Sequence, residues 1–300
     1  MSVIPEPCAA STLPAEPSRL GEGPLFDPDL ERLFWLDILQ KRLLEVALDG
    51  SRAQVHALPF MASMIARAGE GRHLLAAEDG LYLREYATGE LHLVRPLEAE
   101  NRDTRSNDGR VHPSGSLWIG TMGKEAEHGA GAIYWFRKGE LRRLYDGITI
   151  PNSICFSPDG TRAYFTDTAE NIIKVVEVDA ATGLPVSRPR EFVRVPDEHG
   201  KADGSIIDAH GNLWNAKWGA GRLDIYDQSG HLAKSWKLPV KQPTCPAVAG
   251  KSADRVIITS AYDGLQEHSK AGEAESPMDG VTFLLEARIQ GMLEPLCLVG

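Results

Sequence analysis

A pattern that recurs six times along the chain limits the folds open to this sequence. In each copy a turn-rich segment leads into a short apolar strand, and the copies occupy residues 26–38, 66–80, 111–122, 156–168, 208–219 and 249–264. In the fourth copy, for example, FSPDG sets up a turn and TRAYFTDT continues as a strand rich in aromatic and β-forming residues. Successive copies begin roughly 40 to 50 residues apart, which is the length of one four-stranded propeller blade.

Further short stretches of alternating polar and apolar residues lie between the copies, such as RLLEVALDG, GAIYWFRKGEL and GRLDIYDQSG. Each is typical of a β-strand that ends in a turn containing Gly or Asp. A β-sandwich with chance similarity between hairpins accounts less well for six copies. We therefore predict an all-β fold, a six-bladed β-propeller of four-stranded antiparallel blades around a central channel. We expect one domain over residues 1–300, with the N-terminal residues pairing with the last blade to close the ring.

Charge and composition exclude several classes of partner. The formal net charge of −10 disfavours binding to nucleic acid, which needs a basic surface. The N-terminus MSVIPEPCAAST lacks the basic and apolar regions of a secretory signal, and no apolar run reaches the roughly 18 residues of a membrane span. Cys8, Cys155, Cys245 and Cys297 are scattered, so we expect free thiols in a reducing compartment. The sequence predicts a cytoplasmic protein with neither membrane nor nucleic acid as partner.

Unusual polar residues come just before the predicted innermost strands of several blades. Because these strands run in the same direction around the channel, residues at their starts gather at one end of it. The residues in question are Glu22 before blade one, Arg105, Asn107 and Asp108 before blade three, Asn152 before blade four and Asp203 before blade five. Carboxylate and amide oxygens are the donors that hard divalent cations prefer. Any one of them alone is more often a turn or surface residue, so the hypothesis depends on their coincidence at one end.

Four segments, taken together and in order, resemble the senescence-marker-protein, regucalcin and gluconolactonase family. They are LGEGPLFDP, TRSNDGRVHPSGSLWIGTM, IPNSICFSPDG with YFTDT, and ADGSIIDAHGNLWNAKWGAGRL, and the resemblance runs from about residue 18 to about residue 262. It implies that Glu22, Asn152 and Asp203 hold a divalent metal ion. It also implies that Arg105 and Asn107 bind the substrate. An acidic substrate contact on the loop after GTM falls at Glu125, although Glu127 fits the same loop equally.

The activity implied by the resemblance is metal-dependent hydrolysis of a sugar lactone, an aldonolactone, to the aldonic acid. The metal would act as a Lewis acid or activate water, and Asp203 would be both a ligand and the general base. Calcium is the favoured ion; oxygen ligands also suit magnesium or manganese, and such sites accept zinc or iron(II). The particular sugar and the oligomeric state are not readable from the sequence.

Other function classes fit the residues less well. A non-enzymatic calcium-binding regulatory protein of the same fold is the alternative, but it would need neither Arg105 nor Asn107. A protein-interaction scaffold has no use for acids in the channel. Serine hydrolase chemistry lacks a G-x-S-x-G motif, and Ser63, Ser153 and Ser205 have no evident histidine partner. A related six-bladed hydrolase of aryl esters or organophosphates would be expected to carry more aromatic residues in these loops.

The resemblance weakens toward the C-terminus. Family members commonly carry an aromatic-Gly-Gly turn before the last blade, where this chain reads CPAVAGKSADRV. The stretch LQEHSKAGEAESPMDGVTF, residues 265–283, is longer and more polar than expected. We also expect the histidines of the turn motifs, His112 and His210, to face solvent.

Overall fold

The repeated segments form the second strand of each sheet and the turn that leads into it. A computed structural model describes residues 3–48, 50–51, 53–265 and 277–300. In chain order the strands are β1 Glu6–Pro7, β2 Ala10–Thr12, β3 Gly21–Asp27, β4 Arg32–Asp37, β5 Arg42–Ala47, β6 Gln54–Ala57, β7 Ala62–Gly69, β8 Arg72–Ala77, β9 Gly80–Glu85, β10 Leu91–Pro96, β11 Thr104–Val111, β12 Leu117–Gly123, β13 Gly131–Arg137, β14 Glu140–Ile148, β15 Pro151–Phe156, β16 Arg162–Asp167, β17 Ile172–Glu177, β18 Arg190–Arg194, β19 Lys201–Ile207, β20 Leu213–Trp218, β21 Arg222–Tyr226, β22 Leu232–Lys237, β23 Pro243–Ala249, β24 Arg255–Ser260 and β25 Phe283–Leu285.

These strands form six antiparallel blades, and the prediction of a six-bladed β-propeller is confirmed. Blades one to five are β3–β6, β7–β10, β11–β14, β15–β18 and β19–β22, each in chain order from the channel outward. Blade six has the order β23, β24, β25 and β2, so its outermost strand comes from the N-terminus. In that pair Ala10 lies opposite Leu285 and Thr12 opposite Phe283. The predicted closure of the ring by N-terminal residues is therefore confirmed, and β1 adds a parallel fifth strand to blade five.

Burial explains why the repeat is visible in the sequence. The second strands lie between neighbouring blades and are covered on both faces; every residue of β12 is buried. Such strands have near-continuous apolar sequences. The outermost strands are largely exposed, as β6 and β10 show, and their sequences vary freely. Aromatic packing between blades three and four is representative, since Trp118 contacts Phe156 and Phe165 with ring centroids 5.6 and 6.3 Å apart.

The residues after β25 cross the end of the channel at which the innermost strands finish. The amide of Cys297 donates to the carbonyl of Arg67 in blade two, and that of Leu298 donates to Gly115 in blade three. Glu294 of the same segment forms an ion pair with Arg110 of β11, at 2.7 Å. This C-terminal segment, residues 286–300, therefore covers the lower end of the channel and ties blades two, three and six together.

Some features of single residues differ from expectation. His112 is fully buried, not solvent-facing: its Nε2 lies 2.9 Å from the carbonyl of Gly160 in the next blade, and Nδ1 lies 2.8 Å from Ser114 Oγ. The turn that contains His112 is thus buried because blade four packs against it. All four cysteines are free, as expected. Residues 266–276 of the long polar stretch lie outside the described residues. In the described ranges, no helix is long and apolar enough to cross a membrane.

Candidate functional site

All six innermost strands carry a β-bulge at the same height, near their first residues. The register with the second strand shifts after Glu22, Ala62, Ser106, Asn152, Ala202 and Pro243. A bulge leaves residues unpaired and redirects their side chains. Asn107, Asp108 and Asp203 lie in the bulges, and Glu22 and Asn152 directly before them. The sequence reading that put these residues in loops is wrong, because a bulge beside glycine interrupts strand alternation much as a turn does.

Glycine permits close approach between neighbouring innermost strands at two of these bulges. A Cβ atom on Gly204 would lie 2.5 Å from Cys245 Sγ of blade six. Gly23 has φ +56, in the left-handed region, and a Cβ there would lie 2.6 Å from the carbonyl oxygen of Ser63 in blade two. Glycine has no Cβ atom and adopts positive φ without strain, so it fits both positions. Glu22 and Asp203 can therefore reach the channel on strands that pack tightly against their neighbours.

Three carboxylates, those of Glu22, Asp108 and Asp203, are buried at this end of the channel, with 8%, 8% and 5% exposure. In the part of the chain that the structure describes, no Lys, Arg or His nitrogen lies within 4.0 Å of them. Burial, followed by the charge of Asp108, raises the pKa of Glu22 to about 8. Burial raises the pKa of Asp108 to about 6. Burial and the charges of Glu22 and Asp108 raise the pKa of Asp203 well above its usual value. The carboxylates therefore repel one another.

The amide of Asn152 is held in a defined orientation beside the carboxylates. Its Nδ2 donates to Thr168 Oγ1 at 2.9 Å, so its Oδ1 faces the other way and accepts from Asn107 Nδ2 at 3.2 Å. Asn107 Nδ2 also donates to the carbonyl of Pro151 at 2.9 Å. The Asn152 oxygen can thus act as an uncharged ligand to a cation. The same hydrogen bonds join strands β11 and β15 at this point.

Asp203 is fixed through its backbone by two residues that sequence reasoning did not assign to the site. Ser153 Oγ donates to the Asp203 carbonyl at 2.6 Å, and Asn215 Nδ2 donates to the same oxygen at 2.8 Å. Ser153 has φ 59, an unusual conformation for a residue with a side chain, which positions its hydroxyl across the gap between blades four and five. The role of Ser153 is indicated only by its positive φ, which cannot be read from the sequence.

The predicted substrate residues differ in their surroundings. Arg105 is buried, and its NH1 donates to Asn107 Oδ1 at 2.8 Å and to the carbonyl of Ser106 at 2.9 Å. Burial lowers the pKa of Arg105 to about 10, and the charge of Glu22 opposes this lowering more than that of any other residue. Glu125 is exposed on the loop between β12 and β13, and its backbone amide donates to Glu127 Oε2 at 3.2 Å. The structure brings Arg105 and Asn107 together and leaves both glutamates at the rim.

The serines at this end of the channel are committed to structural hydrogen bonds. Ser63 Oγ donates to Ser106 Oγ at 2.7 Å, and Ser205 Oγ accepts from Asn215 at 2.9 Å. With Ser153 bonded to Asp203, none of the three hydroxyls has a histidine among its described hydrogen-bond partners. This arrangement offers no activated serine nucleophile.

The charges of the channel favour binding of a cation. Four carboxylates, those of Glu22, Asp108, Asp203 and Glu294, face two guanidinium groups, those of Arg105 and Arg110. If all are ionised, two negative charges remain. One divalent cation would neutralise them, and the donor set of two carboxylates and an amide oxygen suits such an ion. Within the described ranges no group of three His, Cys, Asp or Glu side chains is placed to hold a metal ion. The candidate set of Glu22, Asn152 and Asp203 instead combines two carboxylates with an amide oxygen.

The fold and this site define a six-bladed propeller with a candidate cation site at one end of its channel. The chain belongs to the family described as the SMP-30/Gluconolactonase/LRE-like region, whose model matches residues 20–262. The predicted family is confirmed.

Three relatives illustrate the similarity. A Rhizobium meliloti (strain 1021) protein, whose name assigns it provisionally to the sugar lactone lactonases, is 42% identical over 96% of this chain and 97% of its own length. The L-arabinolactonase of Azospirillum brasilense is 32% identical, over 95% of both chains. A crystal structure described as a calcium-binding protein, regucalcin, from Agrobacterium tumefaciens str. C58 has a TM-score of 0.95 and 45% identity, over 99% of both chains.

Proposed function

We propose that this protein hydrolyses a sugar lactone to the corresponding aldonic acid, using one divalent cation held by Glu22, Asn152 and Asp203. One observation carries the proposal: three carboxylates are buried at the channel mouth without a basic side-chain nitrogen within 4.0 Å, and their charges help raise the pKa values of Glu22 and Asp203. Relatives named as lactonases, at 42% and 32% identity, support the enzyme class. The four free cysteines fit a reducing cytoplasm, where we propose that the protein acts.

Calcium is the ion we propose first, because its preferred ligands are oxygens and the donor set contains no nitrogen or sulfur. The calcium-binding description of the Agrobacterium structure supports this choice. Magnesium, manganese, zinc and iron(II) are the alternatives to be tested against it. When bound, the cation supplies Lewis acidity toward the lactone carbonyl and toward water.

Asp203 is the residue that we propose as general base as well as ligand. A water molecule adds to the lactone carbonyl carbon and its proton passes to the Asp203 carboxylate. The bond between the carbonyl carbon and the ring oxygen then breaks, and that oxygen takes up a proton to become the hydroxyl of the aldonic acid. Burial raises the pKa of Asp203 and so strengthens it as a base, whereas a bound cation lowers the pKa and keeps the carboxylate ionised near neutrality.

Arg105 and Asn107 are the proposed substrate contacts. The Arg105 guanidinium uses NH1 to bond Asn107, which leaves its other nitrogens able to bind the ring hydroxyls or the oxygen that gains charge in the reaction. The bond to Asn107 fixes the direction of the guanidinium. Glu125 on the rim loop is a further proposed contact for a substrate hydroxyl, with Glu127 as the alternative.

A second candidate function is calcium binding without catalysis, which the description of the Agrobacterium structure favours. Both functions use the same ligands. They differ in whether Arg105 is needed: replacing it should abolish turnover in the lactonase, and it should have little effect on ion binding in a calcium-binding regulator.

The test of the proposed function is an assay of lactone opening with metal-stripped protein. Glucono-, galactono-, arabinono- and xylonolactone are each supplied, and calcium, magnesium, manganese, zinc or iron(II) is added back separately. We expect no enzyme-dependent opening without a cation and recovery with at least one. Full activity after stripping would contradict the metal requirement, and ion binding without opening of any lactone would favour the second function.

A further inference from the structure

A lysine is buried directly behind the proposed cation site. Lys217 lies on β20, opposite Ala202 of β19, and its side chain has no exposure to solvent. In the part of the chain that the structure describes, no carboxylate oxygen lies within 4.0 Å of its Nζ. The nearest ring is that of Tyr226, whose centroid is 4.9 Å away. Burying a lysine in this way is costly, so its place in the fold calls for an explanation.

The hydrogen bonds of Lys217 lead from its ammonium group to Asp203. Lys217 Nζ donates to Asn215 Oδ1 at 2.5 Å, which turns the NH2 group of Asn215 the other way. That nitrogen lies 2.8 Å from the carbonyl oxygen of Asp203 and 3.2 Å from that of Gly204. It also lies 3.0 Å from Ser153 Oγ, on the residue after the proposed ligand Asn152. Lys217 therefore orients the Asn215 amide, and that amide contacts the proposed ligand Asp203 and the neighbour of the proposed ligand Asn152.

The other five blades show that the fold does not need this pair. Residues in the position of Lys217, opposite the residue before the bulge, are Leu36, Ala77, Thr121, Thr166 and Ser260. Residues in the position of Asn215, opposite the first paired residue after the bulge, are Phe34, Ala76, Ile119, Tyr164 and Ile258. None of the ten carries a charge or an amide. A propeller blade is thus built with apolar or hydroxyl side chains here, and blade five departs from the repeat beside Asp203.

We propose that Lys217 is a positioning residue for the cation site: it fixes the Asn215 amide, which holds the Asp203 backbone and Ser153 in the geometry that binds the ion. The inference rests on the proposed cation site. Residues that orient ligands from behind typically contribute about 10- to 100-fold to metal affinity.

The test is a titration of metal-stripped protein with the divalent ion that wild type binds, followed by calorimetry, with thermal unfolding in chelator as a second measurement. Lys217→Met keeps an unbranched side chain of similar length but cannot donate a hydrogen bond. We expect it to weaken ion binding about tenfold or more. Asn215→Asp keeps an acceptor for Lys217 and loses the NH2 group. We expect weakened ion binding in this variant too, because the carboxylate oxygen that replaces the NH2 group cannot donate to the carbonyls of Asp203 and Gly204.

Lys217→Gln and Ser260→Ala are the controls. Gln retains an N–H donor, so it should recover part of the affinity lost in Lys217→Met. Ser260→Ala removes a buried hydrogen bond, to the carbonyl of Val281, at the corresponding position of blade six, and should leave ion affinity unchanged. Wild-type affinity in both Lys217→Met and Asn215→Asp would overturn the inference. If wild type itself binds none of the ions, the proposed function fails instead.

Discussion

The two ends of the channel are built from the same six strands and differ in how their charges are satisfied. At the lower end, Arg110 forms an ion pair with Glu294 at 2.7 Å and donates to the carbonyl of Ser205 at 3.0 Å. At the mouth, Glu22, Asp108 and Asp203 are equally buried and have no such partner in the described part of the chain. The lower end has its charges paired within the chain, whereas the mouth has three buried carboxylates without an ion-pair partner, which is the charge arrangement that the proposed cation would balance. The first arrangement is structural and the second indicates a site.

The difference follows from chain topology. Glu294 comes from the C-terminal segment, which covers the lower end, while the mouth is framed by the bulges of the innermost strands. In the described residues no chain segment places a basic nitrogen within 4.0 Å of these carboxylates, and Arg105, the basic residue at the mouth, donates instead to Asn107. The predictions below test whether the two ends behave as differently as their contacts suggest.

The largest expected effect is on turnover at the mouth. Asp203→Ala removes a proposed ligand and the proposed base, so lactone opening should fall by about 10³-fold or more, within the range that a positioned general base contributes. The assay is initial-rate hydrolysis at saturating cation, with circular dichroism to verify the fold. Asp197→Ala, in the exposed connection between β18 and β19, is the matched control and should keep wild-type rates. An Asp203→Ala enzyme as active as this control would refute the mechanism.

The second effect is on stability, and its sign should differ between the ends. Glu294→Gln leaves Arg110 buried without its charged partner and should lower the free energy of unfolding by about 2 kcal/mol, less than for a fully buried pair because Glu294 is partly exposed. Asp203→Asn removes a repelling buried carboxylate and should leave the free energy of unfolding in chelator unchanged or raise it. Urea unfolding of the two variants compares these values. If both variants were destabilised equally, the two ends of the channel would not differ in how their charges are stabilised.

A smaller effect concerns pH. The folded-state pKa values are raised, to about 8 for Glu22 and about 6 for Asp108. At a pH above the ordinary pKa values of these two groups, the folded state therefore binds more protons than the unfolded state. The contribution of these two groups to stability in chelator should therefore be greatest below about pH 4 and fall as the pH rises to about 8. A bound cation stabilises the ionised carboxylates and should reduce this fall. Thermal unfolding across that range, with and without cation, measures both slopes; Glu22→Gln in chelator should give a shallower fall than wild type.

Much of the fold was predictable because burial is repeated. The second strands are covered on both faces in all six blades, so the same apolar pattern recurs in segments such as 111–122 and 156–168. The site residues were predictable as a group for a related reason. Equivalent positions of a repeat must lie at the same height around the channel, which brings Glu22, Asn152 and Asp203 to one end whatever their separation in sequence.

What could not be predicted depends on contacts between distant or atypical residues. Arg110 and Glu294 are far apart in sequence, and nothing in either segment indicates that the C-terminal residues turn under the channel. Lys217 was not predicted because a lysine between strand residues is usually at the solvent face. The bulges were read as loops because glycine and proline near them suppress strand propensity. In each case tertiary packing decided what local sequence preferences left open.

The central claim is that Glu22, Asn152 and Asp203 hold one divalent cation. The most direct test is calorimetric titration of metal-stripped wild type and Asp203→Ala with calcium, and then with the other four ions. The account predicts one bound ion per wild-type chain and loss of that binding in Asp203→Ala. Binding of the same ion with equal affinity by Asp203→Ala, or the absence of binding by wild type for all five ions, would contradict it.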